Sequence, residues 1–291
     1  MSNESEALLG RLTSKKGTSA GGKPRLVRRA DVKPLLWGDE EAGYANDLFY
    51  QLTPQLAIVV ACIPPGGSFT SSDQHRTVFD SDEALYVLDG QYTIQNPESG
   101  EVCVADKGQL IMLRGPQWHY GYNFSDSELR IFEAIAPVDM ANSTAQMIKP
   151  VDAKGVNSQQ LSEYPRSREL GARDMDVVKE GESLPILLGN KNIMRLDVFA
   201  NNDRVALGRF ELAPGKRTDV LCADYDAAIY VTSGRLNVRV AAKDIWTEVN
   251  VDELFILPAH TQWQVFNHGG ERVSALLAVA GNLNTGFGLA N

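Results

Sequence analysis

The chain has 291 residues, with 28 Lys and Arg against 37 Asp and Glu, for a formal charge of −9. That acidic balance argues against a nucleic-acid partner. The hydrophobic share of 43% suffices for a sizeable core, yet no apolar run approaches the ~20 residues of a membrane span.

Residues 1–34 are rich in Ser, Gly and Lys, lack periodicity and have no apolar signal-like core. They read as a flexible arm whose basic cluster, Lys23, Arg25, Arg28, Arg29 and Lys33, is solvated. From Leu48 the texture changes to β-branched and aromatic runs, LFYQLTPQLAIVVACIPPGG, then a polar loop, SFTSSDQHRTVFDSD. EALYVLDGQYTIQ, EVCVADKGQLIML and RIFEAIAP follow as strands broken near Gly or Asp. Short strands at close spacing predict an all-β sandwich or barrel, not βαβ units. Residues 138–185 are charged, contain Pro and Gly, and predict a linker with one short helix. Strands resume beyond it, giving a first all-β domain over 35–137 and a second over 186–291. Cys62, Cys103 and Cys222 lie far apart with no C-x-x-C spacing, as expected of thiols in a reducing cytoplasm.

The second half repeats the first. ALYV–Gly90 aligns with AIYV–Gly234 at an offset of 144, and the same offset sets Gly108 on Asp252, Arg114 on Pro258, His119 on Trp263 and Asn123 on Asn267. The turn Pro65-Gly66 matches Pro214-Gly215 at an offset of 149, so the first half has extra residues around the loop that carries His75.

These stretches resemble the cupin superfamily, in its two-domain bicupin form. Gly108, His119 and Asn123 fit the second cupin motif, where Arg114 and Pro116 replace its usual Pro and Gly. Glu83 and Gly90 fit the end of the first motif. Its two His positions fall on Asp73 and His75 when counted from Gly67, or on His75 and Thr77 when aligned on His-Arg-Thr. The resemblance implies two tandem jelly-roll barrels with a metal site inside the first. The ligands it implies are His75, Glu83 and His119, with Asp73 as a fourth and Gln74 as a weaker donor. Two imidazoles and a carboxylate suit a divalent transition metal, Fe(II) or Mn(II) foremost, with Zn(II) or Ni(II) as alternatives.

At the same motif positions the second half has Leu221, Ala223, Ala227 and Trp263, so its barrel reads as a packed scaffold. His260 and His268 read as surface groups. Around the first site, Arg114 is a candidate clamp for a substrate carboxylate; the plain alternative is a solvated turn charge. Glu83 and Tyr86 are candidate proton carriers. Trp118, Tyr120 and Tyr122 alternate with His119, so they are expected to point outward and suit a homodimer contact; a monomer is the alternative.

Three functions compete. The first is a dioxygenase, an oxidoreductase acting on a small organic acid or aromatic substrate. The second is a non-redox metal-dependent isomerase, lyase or decarboxylase. The third is a small-molecule-binding cupin without catalysis. Metal content separates the third from the other two.

Overall fold

The computed structural model describes residues 22–138 and 175–290, apart from residues 73, 74, 76, 77, 80, 98 and 244. Among the described residues, 34–138 and 175–180 form one compact unit, and 22–33 with 181–290 form the other. Both are built almost wholly of strands, and no helix among the described residues is long and apolar enough to cross a membrane.

Strand β1 (Arg25–Val27) belongs to the second unit. The first unit contains β2 (Pro34–Asp39), β3 (Gly43–Leu52), β4 (Ala57–Ile63), β5 (Ser68–Phe69), β6 (Val78–Phe79), β7 (Asp82–Asp89) and β8 (Gln91–Gln95). It continues with β9 (Val102–Asp106), β10 (Leu110–Leu113), β11 (Gln117–Trp118), β12 (Tyr120–Tyr122), β13 (Leu129–Ala136) and β14 (Met175–Val178). One sheet runs β14-β10-β7-β13-β4-β3-β5-β12-β8-β9, with β2 on β3, and β6 pairs with β11 apart from it. It curls on itself, because residues from its two ends share one core: Ile111 and Leu113 of β10 pack with Tyr92 and Ile94 of β8. Strand β4, AIVVACI, is buried at every position, as a central strand covered on both faces must be.

The second unit contains β15 (Leu184–Leu188), β16 (Met194–Asn201), β17 (Ala206–Leu212), β18 (Leu221–Ala223), β19 (Ala227–Ser233) and β20 (Leu236–Val240). Then come β21 (Ile245–Val249), β22 (Leu254–Leu257), β23 (Gln262–Phe266), β24 (Val273–Val279) and β25 (Phe287–Leu289). One sheet runs β1-β22-β19-β24-β17-β16-β15 and the other β21-β20-β23-β18-β25. Their inner faces share one core: in β20, Leu236, Val238 and Val240 are buried, while Asn237 and Arg239 are not. That is the two-residue period of a strand with one covered face. The duplication holds in three dimensions. Gly90 and Gly234, at φ 83° and 74°, turn the chain after β7 and β19. A Cβ on Gly234 would fall 2.8 Å from the Arg272 carbonyl oxygen, so only glycine fits that turn.

Two sequence expectations change. The arm is not wholly flexible: Arg25, Leu26 and Val27 pair with Ile256, Phe255 and Leu254, and Leu26 packs on the core of the second unit. Without β1, the buried strand β22 would present an open edge, a tertiary need that three residues of local sequence do not reveal. The segment expected as linker ends in structure. Met175–Val178 pairs with Leu113–Leu110 of β10, and Met175 is buried in the first core. The helix expected between the barrels falls on residues 139–174, outside the described ones.

Candidate functional site

The interior of the first barrel is set by alternation. Ala45 on β3, Leu85 on β7 and Ile131 on β13 all lie in its core. Two residues away on the same strands, and so on the same inward face, stand Asp47, Glu83 and Glu133. The registers agree, because Asp47 is level with Ala61 and Ala61 with Ile131, while Glu133 is level with Leu85. Glu83 and His119 are buried, with His119 Nδ1 3.8 Å from Glu83 Oε1. This is beyond hydrogen-bond length, so a bridging atom fits between them. The His119 ring meets the edge of Phe69 at 5.9 Å.

Burial governs the charge states. It raises the Glu83 carboxyl well above its ordinary range, and neighbouring Asp82 adds to this. It lowers His119 to about 4, against a smaller opposing effect of the Gln117 backbone. Glu133 is likewise raised by burial, then by Asp47 and Glu83. Asp47 is pushed up to about 7 by burial. Tyr92, fully buried, is likewise raised by burial and then by the charges of Glu133 and Glu83.

His75 is held separately. Its Nδ1 lies 3.0 Å from Asp39 Oδ2. Asp39 also accepts from the backbone N–H of Ala42 at 2.7 Å and from Ser72 Oγ at 2.7 Å. These bonds, the Ala42 one foremost, keep its carboxyl well below the usual range. An ionised acceptor orients the ring through Nδ1 and turns Nε2 away from it. That Nε2 is buried with no protein hydrogen-bond partner. The Trp37 ring packs on His75 at 5.2 Å and on Phe69 at 5.8 Å.

The expected ligand set is therefore only partly assembled. Glu83 and His119 meet, but among the described residues no three His, Cys, Asp or Glu side chains converge as a metal-holding cluster, so His75 does not complete a triad with them. Asp73, Gln74, Arg76 and Thr77 lie outside the described residues. The donor chemistry that is present suits a divalent ion: a buried carboxyl faces a buried neutral imidazole, with a second imidazole nitrogen left unpartnered.

Two expected catalytic residues lie elsewhere. Arg114 does not reach the interior; its side chain is 70% exposed and bonds Asp176 on β14 at 3.2 Å. A charge in a turn finds the nearest counter-charge in solvent rather than paying desolvation in a barrel. Tyr86 alternates with Leu85 and so faces away from the interior, with its hydroxyl toward the Gly108 turn. Trp118 and Tyr120 also point away from the interior, opposite to His119, but both are already buried, which leaves the row little surface for a partner beyond Phe124. Phe124 is 75% exposed and stacks on Tyr122 at 5.6 Å.

Asp39, Asp47, Tyr92 and Glu133 were missed. The one available signal was the inward period shared by Asp47 and Ala45 and by Glu133 and Ile131. In the second barrel, Leu221, Ala223, Ala227 and Trp263 are all buried in the apolar core, as expected of a scaffold. His260 and His268 are exposed.

No protein-family model and no curated protein sequence matches the chain. Solved structures do. Lactobacillus farciminis oxalate decarboxylase, in a formate complex, aligns at TM-score 0.61 and 12% identity over 91% of this chain and 88% of its own. Protein Ylba from E. coli, of family model DUF861, aligns at TM-score 0.60 and 13% identity over 92% and 95%. AerE from Microcystis aeruginosa aligns at TM-score 0.56 and 7% identity over 85% and 97%. At such identities the likeness speaks for the fold. With the duplicated turns and the two strand-built cores, it establishes that this chain has the cupin jelly-roll fold in two tandem barrels.

Proposed function

We propose that the chain is a metal-dependent enzyme of the non-redox kind, a decarboxylase, lyase or isomerase, acting on a small molecule inside the first barrel. The observation that carries this reading is the buried Glu83–His119 pair, replaced in the second barrel by Ala227 and Trp263. Glu83 and His119 would hold a divalent ion, which supplies Lewis acidity toward a substrate oxygen when bound. The structural neighbours include an oxalate decarboxylase of Bacillus subtilis described with Mn(II) centres, which makes Mn(II) the first ion to try.

The chain's own groups supply the rest. Tyr92 Oη, fully buried and without a protein hydrogen-bond partner, would donate to a polar group of a substrate inside the barrel. The apolar core around Tyr92 excludes water, which strengthens that contact. None of these steps needs an oxidant, which ranks the dioxygenase reading second.

The test loads the protein with Mn(II) and assays candidate substrates with and without oxygen. Turnover independent of oxygen supports the proposal. Oxygen uptake in step with turnover restores the dioxygenase. A protein that takes up no metal after loading returns the chain to the binding cupins.

A further inference from the structure

The inward face of the first barrel carries Asp47, Glu83 and Glu133, and among the described residues no lysine or arginine matches them. The described basic residues of this unit are Lys107, Arg114, Arg130 and Lys179; Arg76 lies outside the described residues. Lys107 and Arg114 are 69% and 70% exposed and are engaged with Asp89 and Asp176. Arg130 sits level with Cys62, on the face opposite to Ile131, and Lys179 is exposed beyond the end of β14. No described lysine or arginine of this unit therefore faces these carboxyls.

A second observation points to a ligand. Tyr92 is fully buried, its ring is in the core, and its hydroxyl has no hydrogen-bond partner. A buried hydroxyl left without a partner is costly, so such groups usually await one. Asp47 and Glu133 face inward and are half-buried, so part of each stays accessible. Phe49, level with Val59 and two residues from Asp47, adds a half-buried aromatic wall to that face.

We propose that the first barrel takes an amine-bearing small molecule, with its ammonium head against Asp47 and Glu133 beneath the Tyr92 hydroxyl and its reacting group at the Glu83–His119 end. An ammonium group supplies the counter-charge this face lacks, and its three N–H donors match two carboxylates and a phenol oxygen. The aromatic wall favours a cation further. A carboxylate in the same place would meet like charge and no arginine. Burial's upward push on Asp47 and Glu133 agrees, since it marks carboxyls without a cation beside them. The proposal rests on the site reading above for its location, and not on the reaction assigned there.

The test titrates the full chain by calorimetry with the chlorides of ethanolamine and putrescine, and with sodium acetate and oxalate, before and after Mn(II) loading. The amines are expected to bind and the carboxylates not. Asp47→Asn and Glu133→Gln, both near-isosteric, are each expected to weaken amine binding about tenfold to a hundredfold, the range for losing one charge-assisted hydrogen bond, and to leave Mn(II) uptake intact. Carboxylates that bind where amines do not would overturn the proposal, with or without the variants. So would amine binding unchanged in both variants. Mn(II) uptake without amine binding removes the substrate class and spares the enzyme reading. Amine binding without Mn(II) uptake does the reverse.

Discussion

Asp82 and Asp226, 144 residues apart, hold the same turn in the two barrels. Asp82 Oδ1 accepts from the Gly115 backbone N–H at 3.1 Å, and Asp226 Oδ1 from that of Ala259 at 3.0 Å. The next residue separates the barrels. Glu83 is level with Leu113 and Ala227 with Leu257, so one station carries a carboxyl and its duplicate a methyl group. A turn anchor keeps its structural task even where the site beside it is absent. Asp226→Ala should therefore cost roughly 1–3 kcal/mol in urea unfolding, the range for leaving a donor unmade. A cost under about 0.5 kcal/mol, typical of a plain surface change, would mean the turn is held by something else.

Glu83→Gln and His119→Ala are expected to abolish uptake of Mn(II), read by its magnetic resonance signal, and turnover with it. Their effects on stability should differ. Glu83→Gln leaves the fold as stable as before or more so, because the buried carboxyl faces no counter-ion in the protein. His119→Ala removes a buried ring packed on Phe69 and should cost roughly 2–4 kcal/mol. Full Mn(II) uptake by Glu83→Gln would place the ion elsewhere.

Asp47 gives a pH signature. Its folded pKa, about 7, lies above the ordinary carboxyl value of 3.8, so the folded chain binds the extra proton between those values. Stability from this group is complete below about pH 4 and is lost as the pH rises toward 7. Asp47→Asn cannot lose it. The variant should match the wild type at pH 4 and exceed it at pH 8 by roughly 1–2 kcal/mol, a figure reduced for the partial exposure of the group. Thermal melts across that range check this; a constant difference at every pH would rule it out.

Gly121 lies inward on β12, level with Phe69 and Ile94. A Cβ there would strike the Phe69 ring and stand 2.9 Å from the ring of Tyr92. Gly121→Ala should cost roughly 1–3 kcal/mol, as overpacking does, and should disturb the site, because both rings border it. A variant with wild-type melting and activity would show that the rings can move aside.

Removal of residues 1–28 takes away β1 and opens the edge of β22. Hydrogen exchange at Leu254 and Ile256 should rise while exchange in the first barrel stays as it was. No change at β22 would mean that β1 adds nothing to the second unit.

Much of this was legible locally. A period of two marks strands wherever one face is covered, and the offset of 144 residues, read from Gly90, His119 and Asn123, revealed the duplication. Asn123 shows that the motif carries structure as well as chemistry: its amide donates to the carbonyls of Ile63, Pro64 and Ser127, as that of Asn267 does to Leu212 and Glu271.

The sequence by itself determined the all-β class, the duplication into two halves, and which half kept polar groups at its motif positions, because these follow from side-chain alternation and spacing along the chain. Only the tertiary structure decided that Asp39 orients His75, that Arg114 turns out to Asp176, and that Asp47, Glu133 and Tyr92 share one interior. Those residues sit on strands far apart in the chain. Which strands become neighbours depends on how the whole sheet closes around its core, and no local pattern encodes that.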